Sequence, residues 1–465
     1  MKKTLLFLMT LTCSAFSWAG HEGAEVAPGP VTSLERLQSL KDMPPAVEAR
    51  RAFTIQSWTT RNGARVYFVE ARELPMLDLR LVFDAGGARD ADKAGLASIT
   101  SRMLEEGTVT LDTAAIAKSF EDVGAIFDTG SYRDMGVAEL RVLSDPQYRD
   151  PAIAVFSDVI AHPAFPAESF ARVMQSAEVG LQQQEQSPAA IAGRIFYEKL
   201  YGKHPYARPP SGSRATLATI KREDLQAFHG RYYVARNLVI ALVGALSRDE
   251  AQALAEQVSQ VLPAGEPAEA LPAVKSLSRA VRVHQEFPSA QTHILMGQPG
   301  IAHGDPDYYA LAVGNEILGG GGFTARLMTE IRQKRGLTYG VYSSFSQMRA
   351  PGPFSIKLST RSDQSAKALK VATQVLEDFV KKGPDAQELK EAKAGIIGGF
   401  PMATASNASI VSYLGAIGFY GMPLDYLDQY VARIQAVTAD DVRAAFRRHV
   451  APEKLLVVTV GKDKP

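Results

Sequence analysis

Residues 224–244, DLQAFHGRYYVARNLVIALVG, and residues 441–461, DVRAAFRRHVAPEKLLVVTVG, carry the same pattern near the ends of the two halves of this chain. They align without gaps and share six identities: the Asp, one Ala, one Arg, one Leu and the closing Val-Gly. Each begins with an amphipathic stretch and ends in a continuous apolar run, which predicts a helix followed by a buried strand. Because the two copies occupy matching places, we interpret them as the products of a duplication.

Residues 262–277 separate the two halves. Three prolines and repeated Ala and Glu interrupt any regular element there, which predicts a linker. A chain of 465 residues also exceeds the roughly 250–300 residues that a single core sustains. We therefore expect two homologous domains of similar size, at 47–261 and 278–465.

Residues 1–19 have the features of a secretory signal peptide. Two lysines precede an apolar run at 4–16, and small residues stand at the two positions that a signal peptidase reads. We predict cleavage after Ala19, followed by an extended lead-in at 20–46. The mature protein is then expected to be exported and periplasmic.

The composition excludes several classes of protein. The 51 basic and 50 acidic residues give a formal net charge of +1, so no strong field is available to attract a nucleic acid. No later stretch approaches the ~20 apolar residues that a membrane-spanning helix needs. Cys13 is the only cysteine, and cleavage of the signal peptide would remove it. A disulfide, a cysteine nucleophile and a thiolate metal site are thereby excluded from the mature protein.

Hydrophobic periodicity predicts an α+β fold. Apolar runs predict strands at 66–69, 77–83 and 139–143, and helical periodicity predicts helices at 95–105 and 114–123. The short polar connection between the first two strands favours antiparallel pairing between them. We expect each domain to be a mainly antiparallel sheet with helices packed on one face.

The first of these helices has a polar stripe opposite its apolar one. Ser98, Ser101 and Arg102 follow the spacing i, i+3 and i+4, so their side chains converge on one patch. This spacing would suit a metal site if the residues were His, Glu and His. Taken alone, the stripe is typical of the solvated face of a helix.

Five segments of the sequence resemble the M16 metallopeptidase family, which includes pitrilysin, insulinase and mitochondrial processing peptidase. The resemblance covers the chain from about Phe53 onward, in the order of the family, and implies that the two domains form a bowl. The segments are LVFDAGG at 81–87, KAGLA at 93–97, MLEEGT at 103–108, YGKHPY at 201–206 and RLMTEIRQKRGLTY at 326–339.

The chain departs from that family where its zinc motif belongs. The resemblance implies His-x-x-Glu-His at the position of Ser98, Ser101 and Arg102, with two zinc-binding imidazoles and a general base. Neutral serine is a poor zinc ligand, and arginine is a permanent cation. The third ligand of the family, a Glu, falls here on Gly180, although a shift of two residues would reach Glu178. The eight histidines include no pair at helical spacing, so we predict no catalytic metal site in this chain.

Two residues of the second half match the family where it has functional residues. The resemblance implies that Arg332 and Tyr339 project toward a zinc site, hold the substrate backbone and stabilise charge on the scissile carbonyl. In some bacterial members the zinc motif and this pair are on separate chains, which implies a zinc-bearing partner and a peptide substrate. The simpler interpretation places Arg332 with Lys334 and Arg335 in a solvated, basic helix end.

A run of four glycines does not fit a phosphate-binding loop, because no Lys-Ser or Lys-Thr follows it. We expect it to let the backbone pass closely between helices and to flank a peptide-binding cavity. His204 is interpreted as part of a structural turn, and residues 398–401 as a bend between helices. The glycines are Gly319, Gly320, Gly321 and Gly322.

Three functions are compatible with these patterns. The leading hypothesis is a non-catalytic subunit of a heterodimeric periplasmic zinc peptidase, in which the partner holds the zinc. The second is a stand-alone peptide-binding or scaffold protein that kept the fold and lost the chemistry. The third is a self-sufficient peptidase with unconventional ligands.

Overall fold

The structure is a computed structural model that describes residues 54–462. The expected signal peptide, the lead-in at 20–46 and Cys13 lie outside the described residues. Within the described range, no helix is both long enough and apolar enough to cross a bilayer.

The first half forms a six-stranded mixed sheet in the order β1-β2-β6-β3-β5-β4. Strand β6 runs parallel to β2, and the other neighbouring strands are antiparallel. The strands are β1 (Gln56–Thr59), β2 (Arg65–Glu70), β3 (Met76–Phe83), β4 (Ile126–Ser131), β5 (Gly136–Leu143) and β6 (Leu238–Gly244). The helices are α1 (Leu96–Met103), α2 (Thr113–Glu121), α3 (Pro146–Ala161), α4 (Ala167–Glu185), α5 (Pro188–Tyr201), α6 (Arg214–Leu217), α7 (Arg222–Tyr232) and α8 (Arg248–Gln260).

The second half forms a five-stranded mixed sheet in the order β7-β11-β8-β10-β9. Strand β11 runs parallel to β7, and the other pairs are antiparallel. The strands are β7 (Val281–Glu286), β8 (Gln291–Pro299), β9 (Val341–Phe345), β10 (Pro353–Arg361) and β11 (Leu456–Gly461). The helices are α9 (Tyr308–Asn315), α10 (Ser365–Lys382), α11 (Ala386–Ala403), α12 (Asn407–Tyr420), α13 (Tyr426–Ala436) and α14 (Ala439–His449).

The two halves repeat one topology. Without β1, the order β2-β6-β3-β5-β4 of the first sheet matches β7-β11-β8-β10-β9 of the second, and the parallel pair stands in the same place. The two aligned sequences form helix and strand units, α7 with β6 and α14 with β11. The predicted α+β class and the two related domains are thereby confirmed.

The predicted pairing of β2 with β3 is wrong, because β6 lies between them. Phe68 of β2 and Leu79 of β3 both lie opposite Leu242 of β6. Every residue of β6 is buried, which is the environment that its continuous apolar sequence requires. The strand that the chain forms last in this half therefore takes a central place in the sheet.

Each sheet is covered on one face by helices of its own half and on the other face by a helix of the opposite half. Helix α12 packs on β6, β3 and β2, where Ile410 and Leu414 meet Ala241 and Val243. In return, α5 packs on β11 and β8 of the second sheet. The halves thus exchange one helix each.

The predicted linker at 262–277 and the predicted bend at 398–401 differ in whether the structure agrees with them. Residues 263–277 contain no helix or strand, and the carbonyl oxygen of Pro272 lies 2.9 Å from Nε2 of His204. The expected bend at 398–401 is wrong, because α11 continues through it to Ala403. Phe400 stacks on Tyr430 of α13, with ring centroids 4.8 Å apart, and this tertiary contact supports the helix beyond its glycines.

Candidate functional site

Helix α1 is fixed at its start by a buried carboxylate. Asp90 accepts hydrogen bonds of 2.7 Å from the backbone N–H groups of Gly95 and Ala97. Gly95 has φ of +100°, a conformation that favours glycine. Burial raises the pKa of Asp90 to about 7. These hydrogen bonds fix the first turn of α1 and thereby the position of its polar stripe.

The three residues of the stripe have different environments, and we call them together the α1 face. Ser98 is half-buried, and Arg102 is exposed and donates a 2.9 Å hydrogen bond to Oγ of Ser176 on α4. Ser101 is only 2% exposed, and its Oγ is buried without a hydrogen-bond partner among the described residues. The α1 face thus carries one unsatisfied hydroxyl and one cation tied to a neighbouring helix.

A small cavity of about 230 Å³ adjoins this face. Its wall includes Thr129 of the edge strand β4, whose hydroxyl contacts Oε1 of Glu105 at 2.8 Å and the backbone oxygen of Ser101 at 3.1 Å. Glu106 forms an ion pair with Arg172 of α4 across the same cavity. Burial raises the pKa of Glu105. The cavity is polar and is bordered by an edge strand.

The geometry of α4 bears on which residue stands at the third-ligand position. Arg172, Ser176 and Gly180 follow one another at four-residue spacing and share one side of the helix, and Ser176 binds Arg102 of the α1 face. Glu178 lies on the other flank, where it interacts electrostatically with Arg214. Gly180, rather than Glu178, is therefore on the side that faces α1.

The residues of the α1 face do not fit a zinc ion. They offer two hydroxyls, one of them buried and unsatisfied, and a permanent guanidinium, whereas zinc in proteins is bound by imidazole, carboxylate or thiolate groups.

Elsewhere in the described range, Asp305, Asp307 and His449 bring possible ligand atoms within 4.8 Å of one another. Arg448 donates hydrogen bonds to both carboxylate oxygens of Asp307, at 2.6 and 2.8 Å. Its guanidinium therefore provides the positive charge that balances this carboxylate. This group is an ion-pair network between the start of α9 and the end of α14.

Arg332 lies in a π-helical segment, Met328–Gln333, and differs from its basic neighbours. Lys334 and Arg335 both bind the carboxylate of Glu330, at 2.6 Å. Arg332 forms no ion pair within the part of the chain that the structure describes, and its guanidinium lies 4.6 Å from the ring centroid of Phe323. The basic cluster is thus not uniform.

Tyr339 precedes the edge strand β9 and is 88% exposed. Tyr342, on β9 itself, is 47% exposed. Within residues 54–462, no hydrogen bond, ion pair or ring contact joins Arg332 or Tyr339 to the α1 face. The structure therefore leaves this tyrosine open to solvent and does not bring the two groups of predicted residues together.

The glycine run brings the backbone close to β9. A Cβ at Gly319 would lie 2.6 Å from the backbone nitrogen of Ser343, so only glycine fits. Gly322 has φ of +62° and precedes the exposed ring of Phe323. The expected close passage between helices is wrong in its partner, because Gly319 approaches strand β9, and the peptide-binding cavity stays a prediction.

Sequence reasoning did not identify Thr129, Ser176 or Phe323. Ser176 is 74 residues from Arg102 and Thr129 is 24 from Glu105, so no local pattern links them. In the sequence, the signal for Phe323 was an aromatic residue directly after a glycine run. His204 has the structural role that was expected, since its Nδ1 accepts a hydrogen bond from the backbone N–H of Tyr206.

Two family signatures match this chain. The signature described as "Insulinase (Peptidase family M16)" matches residues 67–213, and the one described as "Peptidase M16 inactive domain" matches residues 219–396. Together they span both sheets in large part.

Individual proteins agree with these matches. A crystal structure of a peptidase M16 inactive domain from Pseudomonas fluorescens is 46% identical, with a TM-score of 0.86 over 89% of this chain and 100% of that one. A Helicobacter pylori protein described as the non-peptidase homolog YmxG is 26% identical over 86% of this chain and 92% of its own length. A Mycobacterium bovis protein described as an uncharacterized zinc protease is 27% identical over 81% and 86%.

Proposed function

Because this chain belongs to the M16 peptidase family, we propose that it is the non-catalytic subunit of a heterodimeric zinc metallopeptidase. The α1 face carries the proposal. Ser98, Ser101 and Arg102 stand where the zinc motif belongs, and their chemistry is incompatible with a divalent cation. A partner chain with an intact motif would supply zinc, the general base and the attacking water.

This chain would contribute Arg332 and Tyr339 to the site of the partner. A guanidinium and a phenol can both donate hydrogen bonds to a carbonyl oxygen that gains negative charge. Arg332 has no competing carboxylate among the described residues, and the hydroxyl of Tyr339 is exposed, so both groups are available to another chain. These two observations support the role that the family resemblance implies.

The substrate would be a peptide or an unfolded polypeptide. Strand β4 is an edge strand of the first sheet, and its unpaired backbone groups can accept an added strand. Thr129 of this strand lines the cavity at the α1 face. In this chain that surface would bind a polypeptide without cleaving it.

The place of action would be the periplasm. The features of residues 1–19 support export, with cleavage after Ala19. The mature chain would then comprise the lead-in at 20–46 and the two domains at 47–261 and 278–465, joined by residues 262–277.

Reconstitution tests the proposal. The chain would be purified alone, and also together with an M16 chain that has His-x-x-Glu-His, and cleavage of an unfolded polypeptide would be measured. We expect activity from the complex and none from this chain alone. Arg332→Ala and Tyr339→Phe should each lower kcat/KM of the complex by about 100-fold.

Arg335→Gln is the matched control, because Arg335 is a near neighbour held by Glu330. It should leave kcat/KM within about twofold. Zinc-dependent cleavage by this chain alone would contradict the proposal, and so would full activity of the complex carrying both Arg332→Ala and Tyr339→Phe.

The second candidate is a stand-alone peptide-binding protein. The Helicobacter pylori relative described as a non-peptidase homolog favours it. It predicts that the isolated chain binds unfolded polypeptide with the same affinity whether or not a zinc-motif chain is present, and that no such chain co-purifies with it. Co-purification from its native source therefore separates the two candidates.

A further inference from the structure

A second cavity, of about 450 Å³, lies where the two halves of the chain meet. It shares no lining residue with the cavity at the α1 face. Strand β3, the β4–β5 connection and α5 contribute from the first half, and the β9–β10 connection and α12 from the second. Its polar lining consists of Arg80, Tyr132, Arg133, Asp134, Tyr197, Ser412 and Tyr420.

Arg133 is the residue whose charge is not balanced. It donates hydrogen bonds to the backbone oxygens of Tyr206 and Arg208, at 2.5 and 2.8 Å. Its guanidinium also lies 3.8 Å from the ring centroid of Tyr197. No carboxylate forms an ion pair with it in the described range. Burial, which removes the charged guanidinium from water, lowers the pKa of Arg133.

Asp134 lines the cavity and Glu139 lies next to it, but both carboxylates are already engaged. Asp134 accepts hydrogen bonds from the hydroxyl of Tyr206 at 2.5 Å, the backbone N–H of Arg349 at 2.7 Å and the hydroxyl of Tyr420 at 3.2 Å. Glu139 forms an ion pair with Arg80. Because a buried charge is costly unless it is paired, the cavity favours an anion beside Arg133.

We propose that this cavity binds the carboxylate of a small organic acid or of a peptide C-terminus. Arg133 would donate to the carboxylate, and the rings of Tyr132 and Tyr197 would contact an apolar or aromatic group next to it. A volume of about 450 Å³ is in the range of small-ligand pockets. The site is independent of the function proposed above, since it involves neither the α1 face nor Arg332.

Binding to the isolated mature chain tests this site. Isothermal titration would use phenylacetate, the tripeptide N-acetyl-Ala-Ala-Phe with a free carboxylate, and the same tripeptide as its C-terminal amide. We expect at least one of the two acids to bind and the amide not to bind. Binding of phenylacetate but not of the tripeptide acid would identify a small free acid as the ligand. Binding of the tripeptide acid would identify a peptide C-terminus.

Three variants locate the binding. Arg133→Gln removes the charge and should raise the Kd of the acid at least about tenfold, which is the effect expected from losing a charge-assisted hydrogen bond. Ala416→Leu narrows the cavity from α12 without changing any charge and should also weaken binding. Arg194→Gln on α5 is the control, because Arg194 is exposed and lines no part of this cavity.

Several results would overturn the site. They are no binding of either acid, equal binding of the amide, or unchanged affinity in Arg133→Gln or in Ala416→Leu. If Arg133→Gln fails to fold, which circular dichroism detects, Ala416→Leu decides. Since no partner chain is used, failure here leaves the proposed heterodimer untouched.

Discussion

Single residues on the α1 face account for the expected loss of zinc chemistry. Replacing Ser98, Ser101 and Arg102 by His, Glu and His would restore two imidazoles and a base. The side that faces α1 would still lack a third ligand, because Gly180 has no side chain and Glu178 lies on the other flank of α4. A Cβ at Gly180 would have no atom within 4 Å, so a Glu fits there.

We therefore expect the combination Ser98→His, Ser101→Glu, Arg102→His and Gly180→Glu to bind zinc more tightly than the same variant without Gly180→Glu. Competition with a fluorescent chelator measures both affinities. Equal affinities would mean that Glu178 already serves as the third ligand.

The unsatisfied hydroxyl of Ser101 predicts a gain in stability. Ser101→Ala removes a buried polar atom that has no partner among the described residues, and alanine is also the better helix former. We expect the free energy of unfolding to rise by about 1 kcal/mol in urea denaturation. Ser98→Ala is the control, because Ser98 is half-buried and should gain only the smaller helix-propensity part. A fall in stability for Ser101→Ala would mean that the hydroxyl has a partner.

Among the elements, α12 packs closely on the first sheet through a small residue. A Cβ at Gly418 would lie 2.5 Å from Tyr67 and 2.5 Å from Val239, which belong to the central part of the first sheet. Gly418→Ala should therefore push α12 away from the sheet and lower the free energy of unfolding by about 1–3 kcal/mol.

Gly398→Ala gives the matched comparison within a helix of the same half. A Cβ at Gly398 would meet nothing within 4 Å, so alanine should raise stability by roughly 0.5–1 kcal/mol. Equal effects of the two variants in thermal unfolding would show that the close contact of α12 is unimportant.

Local periodicity predicted which segments form helices and strands better than it predicted which strands pair. The helix and strand of α7 and β6 follow from the apolar pattern of their own residues, as do β3 and α2. The place of β6 between β2 and β3 was not predictable in this way, because it depends on pairs such as Phe68 with Leu242 that are distant in the chain. Tertiary contact likewise carried α11 through the glycines near residue 400.

At the scale of the whole molecule, we expect pH to act on a ring pair of the second half that adjoins the first half, where the hydroxyl of Tyr420 donates a hydrogen bond to Asp134. His303 of the second half stacks on Tyr420, with ring centroids 3.6 Å apart, and burial lowers the pKa of His303 from 6.5 to about 4. Burial is the larger cause of this shift in the pKa, and repulsion from Arg349 is the smaller one. The folded state thus favours the neutral ring.

Because the folded pKa is the lower one, the stabilisation is present above pH 6.5 and is lost as the pH falls toward 4. We expect roughly 1–2 kcal/mol less stability at pH 4.5 than at pH 7.5 from this group, allowing for its partial exposure. His303→Phe keeps the stacking and should reduce that difference in urea denaturation. An unchanged difference would exclude His303 as its source.

The candidate sites differ in how far the sequence could predict them. The i, i+3, i+4 spacing was enough to place Ser98, Ser101 and Arg102 on one face of α1. The cavity at the meeting of the halves left no signal, because its residues come from five separate segments. Arg133 becomes notable only when the contacts of Asp134 are known.

The exchange of α5 and α12 also has a consequence for biosynthesis. A ribosome completes the first sheet, through residue 244, long before it adds residues 407–420. Until then α12 is not available to pack on Ala241 and Val243, so these apolar side chains of the nascent chain are exposed to solvent. We therefore expect a chaperone that shields these residues to act before residues 407–420 become available to cover them.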